Sequence, residues 1–116
     1  MTWSELKDVA LEVAVQDQNF IDLRDYLRAE EDDDRTVFLC ALAAMEYIIS
    51  AVGAFDEDDQ TAVLVFKAIT QEFYDNRILK DSRASLTQPF QRVSYVNESM
   101  LLQLKLKYDL KQEAAG

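Results

Sequence analysis

Two runs of carboxylates hold the densest concentration of reactive side chains in this chain: EEDDD at residues 30–34 and DEDD at residues 56–59. Closely set carboxylates can bind a divalent cation or share a proton in acid–base catalysis. The first run lacks the alternating acids, central glycine and distal glutamate of a calcium loop. Each run leads into an apolar segment of helical spacing, and acids favour helix N-termini. In such solvated positions little raises a carboxyl pKa toward neutrality. The expected role of these acids is to cap helices and to carry surface charge.

Other reactive types are scarce. The 116 residues include no histidine, one cysteine and two glycines. That removes the usual neutral-pH acid–base group and the usual metal ligand. It also leaves no H-E-x-x-H, C-x-x-C, glycine-rich phosphate loop or nucleophile elbow. The chain reads as a non-enzyme, with no catalytic residue, no metal and no cofactor expected. Cys40 lies in an apolar run and reads as a small core residue in a chain with no intrachain disulfide. With 22 acidic and 12 basic residues the formal net charge is −10, which repels a nucleic-acid backbone on average. No basic–aromatic patch suited to base stacking is present.

The elements carrying these residues read as helices in one domain, residues 1–116. Hydrophobic residues make up 49% and only three positions are glycine or proline, against both disorder and a turn-rich all-β design. The expected fold is all-α: a small bundle of four to five helices around a long hydrophobic central helix, with a long loop before the C-terminal helix. The centre is the segment 34–52, where between Val37 and Val52 only Glu46 and Ser50 are strongly polar. A helix apolar around most of its circumference needs cover on several sides. Glu46 and Ser50 define its wet strip, and Gly53 suits a left-handed C-terminal residue. This run falls short of the ~20 residues that span a bilayer, and Glu46 interrupts it. The N-terminus lacks a signal-peptide pattern, so a soluble chain without membrane contact is expected.

Around this centre, Thr2 and Glu5 have capping-box spacing. Leu6, Val9, Ala10 and Val13 then predict one helix over 3–15, within an extension at 1–18. Asn19 is the expected cap of a short helix over 20–28 that buries Phe20, Leu23 and Leu27. After the second acidic run, Ala62, Phe66, Ile69 and Phe73 predict a helix ending near Arg77, its face widened by Val63, Val65 and Tyr74. Residues 79–96 then read as a long loop or arm containing the single proline, Pro89. Leu86, Phe90, Val93 and Tyr95 make it too apolar for a free linker and are candidate contacts to another subunit or partner. A last helix over 97–112 is expected, capped by Asn97. There Leu102, Leu104, Leu106, Tyr108 and Leu110 alternate with polar residues as a strand would, while propensity favours helix. As a helix it has two apolar faces, suited to joining its own bundle to a neighbour.

Several strings, in order, resemble the head–tail connector (head completion, or adaptor) family of tailed double-stranded DNA phages. FIDLRDYLRAEEDDD at 20–34 looks like the family's opening signature, and LAAMEYIISAVG at 42–53 like its central helix. AITQEFYDNR at 68–77 is similar to its third helix, and PFQRVSYVNESMLLQL at 89–104 to its proline-containing loop and last segment. The N-terminal helix is an extension relative to that pattern, and the alternation at 102–110 is stronger than the family's.

The resemblance implies a virion protein at the head–tail interface, present in the host cytoplasm during assembly. It implies a homo-oligomeric ring, usually of about twelve copies, bound to the portal protein on one side and a stopper or tail-completion protein on the other. DNA would pass through without sequence-specific binding. On that reading Glu30, Glu31, Asp32, Asp33, Asp56, Glu57 and Asp58 are candidate channel or rim acids, and Lys105, Lys107 and Lys111 candidate contacts to the portal or a neighbour. The alternative is an acidic soluble binding module, a DNA-mimic inhibitor or antitoxin-like regulator, holding a basic partner in a salt-sensitive complex.

Overall fold

The computed structural model describes residues 1–81 and 94–115. Among these it is all-α: α1 (Trp3–Leu6), α2 (Leu11–Ala14), α3 (Gln18–Leu27), α4 (Asp34–Val52), α5 (Gln60–Asp81) and α6 (Tyr95–Ala115), with a 3₁₀ turn, Glu31–Asp33, before α4. The centre is α4, as its composition requires. Val37, Cys40, Ala41, Ala44, Met45, Ile48 and Val52 recur at three- and four-residue intervals and are buried. Gly53 closes the helix at φ 110°, and its N–H donates to the Ile49 carbonyl at 2.8 Å. A glycine holds that left-handed geometry without a Cβ penalty. A Cβ there would also sit 3.3 Å from the Tyr108 ring of α6.

α5 folds back antiparallel to α4. The Tyr74 hydroxyl, late in α5, donates to Asp33 just before α4, while Phe55 and Phe66 stack at 5.1 Å near the connection. Ala62, Val65, Phe66, Ile69, Phe73 and Tyr74 form its buried face; Val63 is only partly buried. Thr70 is buried too, its hydroxyl donating to the Phe66 carbonyl at 2.7 Å. α6 lies against both long helices. Its start meets the middle of α5 and its end meets the α4–α5 connection, so it runs parallel to α4.

By length and composition the stretch Glu31–Val52 is apolar enough to cross a membrane. Here one face of it forms the centre of the bundle core.

Four local expectations are corrected. The helix over 3–15 is two single turns, α1 and α2, parted at residues 7–10 by short-range bonds such as Val9 N–H to the Leu6 carbonyl. So short a helix has little stability of its own, and tertiary packing sets the path. Trp3 docks between Phe20 and Phe66, with centroids at 6.3 and 5.2 Å, and the chain turns after that anchor. Val13 consequently emerges 45% exposed, while Ala14 is buried. The expected capping box is present, with Thr2 N–H donating to Glu5 at 2.9 Å and Glu5 N–H to the Thr2 hydroxyl at 3.2 Å.

Asp17, not Asn19, caps α3, accepting the Asn19 N–H at 3.0 Å. Asp34 does not cap α4 but lies in its first turn, where the Arg24 guanidinium bonds both its oxygens at 3.1 Å and ties α3 to α4. The loop expected over 79–96 is helical at both ends, since α5 reaches Asp81 and α6 begins at Tyr95.

Arg28 ends α3 at φ 56°, the one left-handed non-glycine among the described residues. That geometry costs an L-residue roughly 1–2 kcal/mol. Arg28→Gly is expected to raise stability by about 0.5–1 kcal/mol, part of the gain being offset by greater unfolded-chain entropy. Urea unfolding followed by circular dichroism checks it.

Candidate functional site

The acidic runs fold into connections. Glu30, Glu31 and Asp32 stand exposed at the 3₁₀ turn, and Asp33 turns inward to Tyr74. In the second run Asp56 builds a tight turn, accepting the Asp58 N–H at 3.0 Å, and Asp59 caps α5, accepting the Thr61 N–H at 2.9 Å. Glu57 has a role that spacing does not reveal. Its carboxylate accepts the Trp3 N–H, the Ser4 N–H at 3.2 Å and the Ser4 hydroxyl at 3.2 Å, so it caps α1 from across the sequence. Asp58 is exposed. Among the described residues no group of three or more His, Cys, Asp or Glu side chains converges as a metal site would.

The basic group of α6 divides. Lys107 pairs with Asp59 at 3.0 Å and Lys111 with Asp56 at 3.5 Å, so both hold the C-terminal helix to its own chain. Among the described residues Lys105 pairs only along the helix surface, with Asp109 at 3.4 Å. A cleft of about 380 Å³ lies at this junction of α4, α5 and α6, lined by Val52, Asp59, Leu104, Lys107 and Tyr108 among others. At the other end of α6 the expected Asn97 cap is corrected. Ser94 precedes the helix and accepts the Glu98 N–H on its carbonyl at 2.9 Å, while Asn97 is buried inside the first turn. The Asn97 amide donates to Glu72 at 3.1 Å and to the Ala68 carbonyl at 3.5 Å; Glu72 also accepts the Ser94 N–H at 2.7 Å. A buried amide needs such partners.

The Lys107 ammonium, followed by the Thr61 N–H, holds the Asp59 carboxyl below the ordinary carboxylate range, against the opposing pull of burial. A depressed folded pKa contributes stability above the unfolded value, and the contribution is lost as pH falls through the folded value. The Asp59 contribution is therefore full at neutral pH and fades in the acid range below about pH 4. Asp59→Ala is expected to cost about 1–2 kcal/mol at pH 7, as lost caps do. Asp59→Asn keeps the cap and should cost under about 1 kcal/mol, the worth of a partly exposed ion pair. Urea midpoints at pH 7 and pH 3 check both, and the gap between wild type and Asp59→Asn should narrow at pH 3.

Both outer helices leave apolar side chains uncovered. On α6, Leu101 and Leu104 are buried and Tyr108 partly so, whereas Leu102, Leu106 and Leu110 are 62%, 58% and 65% exposed in one stripe of four-residue spacing. The two apolar faces expected of this helix are both present. On α4, Leu39 and Ile49 are 52% and 42% exposed, with Leu42 half-buried and Glu46 exposed between them. Leu86, Phe90 and Val93 lie outside the described residues, and Tyr95 is the first residue of α6.

These features define the class: a small all-α bundle with apolar stripes on its outer helices. Comparison of the chain with protein-family models, curated proteins and solved structures finds no match.

Proposed function

We propose that this chain is a structural subunit of the head–tail connector type, a non-catalytic adaptor. It assembles as a ring beneath a portal, extends the DNA channel and offers a platform to the stopper or tail. The observation that carries the reading is the outward stripe of Leu102, Leu106 and Leu110, held rigidly on a helix whose other face is docked and tethered at both ends. Leucines so exposed in a row mark an association surface. The family-like strings at 20–34, 42–53 and 68–77 lie on α3, α4 and α5, which together build the core. The net charge of −10 suits a wall that DNA passes without being held, because fixed negative charge repels the phosphate backbone. Of the candidate channel or rim acids, Glu30, Glu31, Asp32 and Asp58 are exposed and free to contribute to that charge.

Mass photometry of the chain alone and with its portal tests this reading. Closed oligomers, concentration-dependent alone and stabilised by portal, are expected. A chain that stays monomeric with portal present overturns the reading. If that monomer instead captures a basic protein in a salt-sensitive complex, the acidic-module reading replaces it.

A further inference from the structure

We propose that the leucine stripe of α6 on one copy docks onto the outer face of α4 on the next copy, forming a head-to-tail contact between unlike surfaces. This rests on the ring reading and deepens it by naming both sides of the contact. The first observation is that the two faces match in length. Leu102 to Leu110 spans about 12 Å and Leu39 to Ile49 about 15 Å, at ~1.5 Å per residue. Neither is covered within its own chain. The α4 face also has a receiving shape: Leu42, Met45, Glu46 and Ile49 with Lys7 and Asp8 enclose a recess of about 380 Å³ into which a leucine can insert.

Charge makes the match specific to this pair of faces. Along α4 the exposed stripe reads Arg35, Leu39, Leu42, Glu46, Ile49. Along α6 it reads Glu98, Leu102, Lys105, Leu106, Asp109, Leu110, Glu113. With the stripe centres superposed and the helices antiparallel, Lys105 and Glu46 lie within about 2 Å of each other along the axis, whereas the parallel direction sets Asp109 beside Glu46. In the antiparallel direction Arg35 meets Glu113 near the end of α6. Neither Arg35 nor Glu46 has an ion-pair partner among the described residues of its own chain. A two-fold pairing of α6 with itself about Leu106 would set Lys105 near both Lys105 and Asp109 of the other copy, and the test below separates it from the contact between unlike faces. A contact between unlike faces leaves one face of each kind open on the pair, so it propagates and closes as a ring when the rotation per subunit allows.

The test uses Glu46→Cys and Leu106→Cys chains, both at exposed positions, with the native Cys40 buried. They are mixed at assembling concentration, treated with a short bismaleimide and read on a denaturing gel. A heterodimer in the mixture, several-fold more abundant than homodimer from either variant alone, is expected. In a second arm Glu46→Lys should weaken assembly by roughly two- to fivefold, and adding Lys105→Glu should restore it. Homodimer from Leu106→Cys alone at the level of the mixture overturns the inference in favour of a two-fold α6 contact. Oligomers without 46–106 heterodimers overturn the inference and leave the ring reading standing. Absence of any oligomer, with or without portal, overturns both.

Discussion

Leu106→Glu is expected to abolish self-association while leaving the subunit folded. Leu106 is 58% exposed at the middle of the outward stripe, so the monomer loses little, and stability should stay within about 0.5 kcal/mol of wild type. In the assembly the same position would be covered by apolar side chains, and an unpaired carboxylate there costs at least ~2 kcal/mol. That is roughly thirtyfold or more in the concentration needed for half-assembly. Sedimentation velocity over a concentration series reads the association, and urea unfolding reads the fold. A variant that unfolds would show that α6 uses this face for its own docking. A variant that assembles like wild type would show that the stripe is not an interface.

Phe66→Ala is expected to have the largest effect on the fold itself, a loss of about 3–5 kcal/mol. Phe66 is fully buried on α5, where its ring meets Trp3 at 5.2 Å and Phe55 at 5.1 Å. It therefore joins three parts of the chain: the N-terminal turn, the α4–α5 connection and the core of α5. Truncation leaves a cavity that the fixed backbones of α4 and α5 cannot fill, and the lost packing adds to the lost transfer energy. Against a total of about 5–15 kcal/mol this is a large share. With an m-value of about 1–3 kcal/mol/M the urea midpoint should fall by roughly 1–5 M. The single tryptophan, Trp3, is 5% exposed against this ring and reports the transition by fluorescence, with far-UV circular dichroism as the independent probe. A midpoint shift below about 0.5 M would contradict the assigned packing of Phe66.

The long helices were legible because their signals are local and repeated. Val37 to Val52, the Phe20–Leu23–Leu27 edge and the Ala62–Phe66–Ile69–Phe73 stripe each bury as their spacing requires. Gly53 and the Thr2–Glu5 box are local devices and fold as read. The departures come from partners far apart in sequence. Glu57 reaches back to cap α1, and Glu72 draws Asn97 into the interior, leaving Ser94 at the helix entrance. Lys107 and Lys111 are spent on Asp59 and Asp56 of the same chain, a pairing that depends on the packing of α6. Of the candidate contacts, the alternating leucines of α6 were the informative signal. Their period serves a strand and a two-faced helix equally, and only the docked Leu101, Leu104 and Tyr108 show which leucines remain outside.

On the proposed function this subunit closes into a ring around a channel. Negative-stain imaging of the chain at high concentration, and of the chain bound to portal, is the decisive experiment. Annular particles with an open centre are expected, lost on Leu106→Glu and retained on Arg28→Gly. Solitary compact particles in both preparations, or open filaments with no closed form, would contradict it.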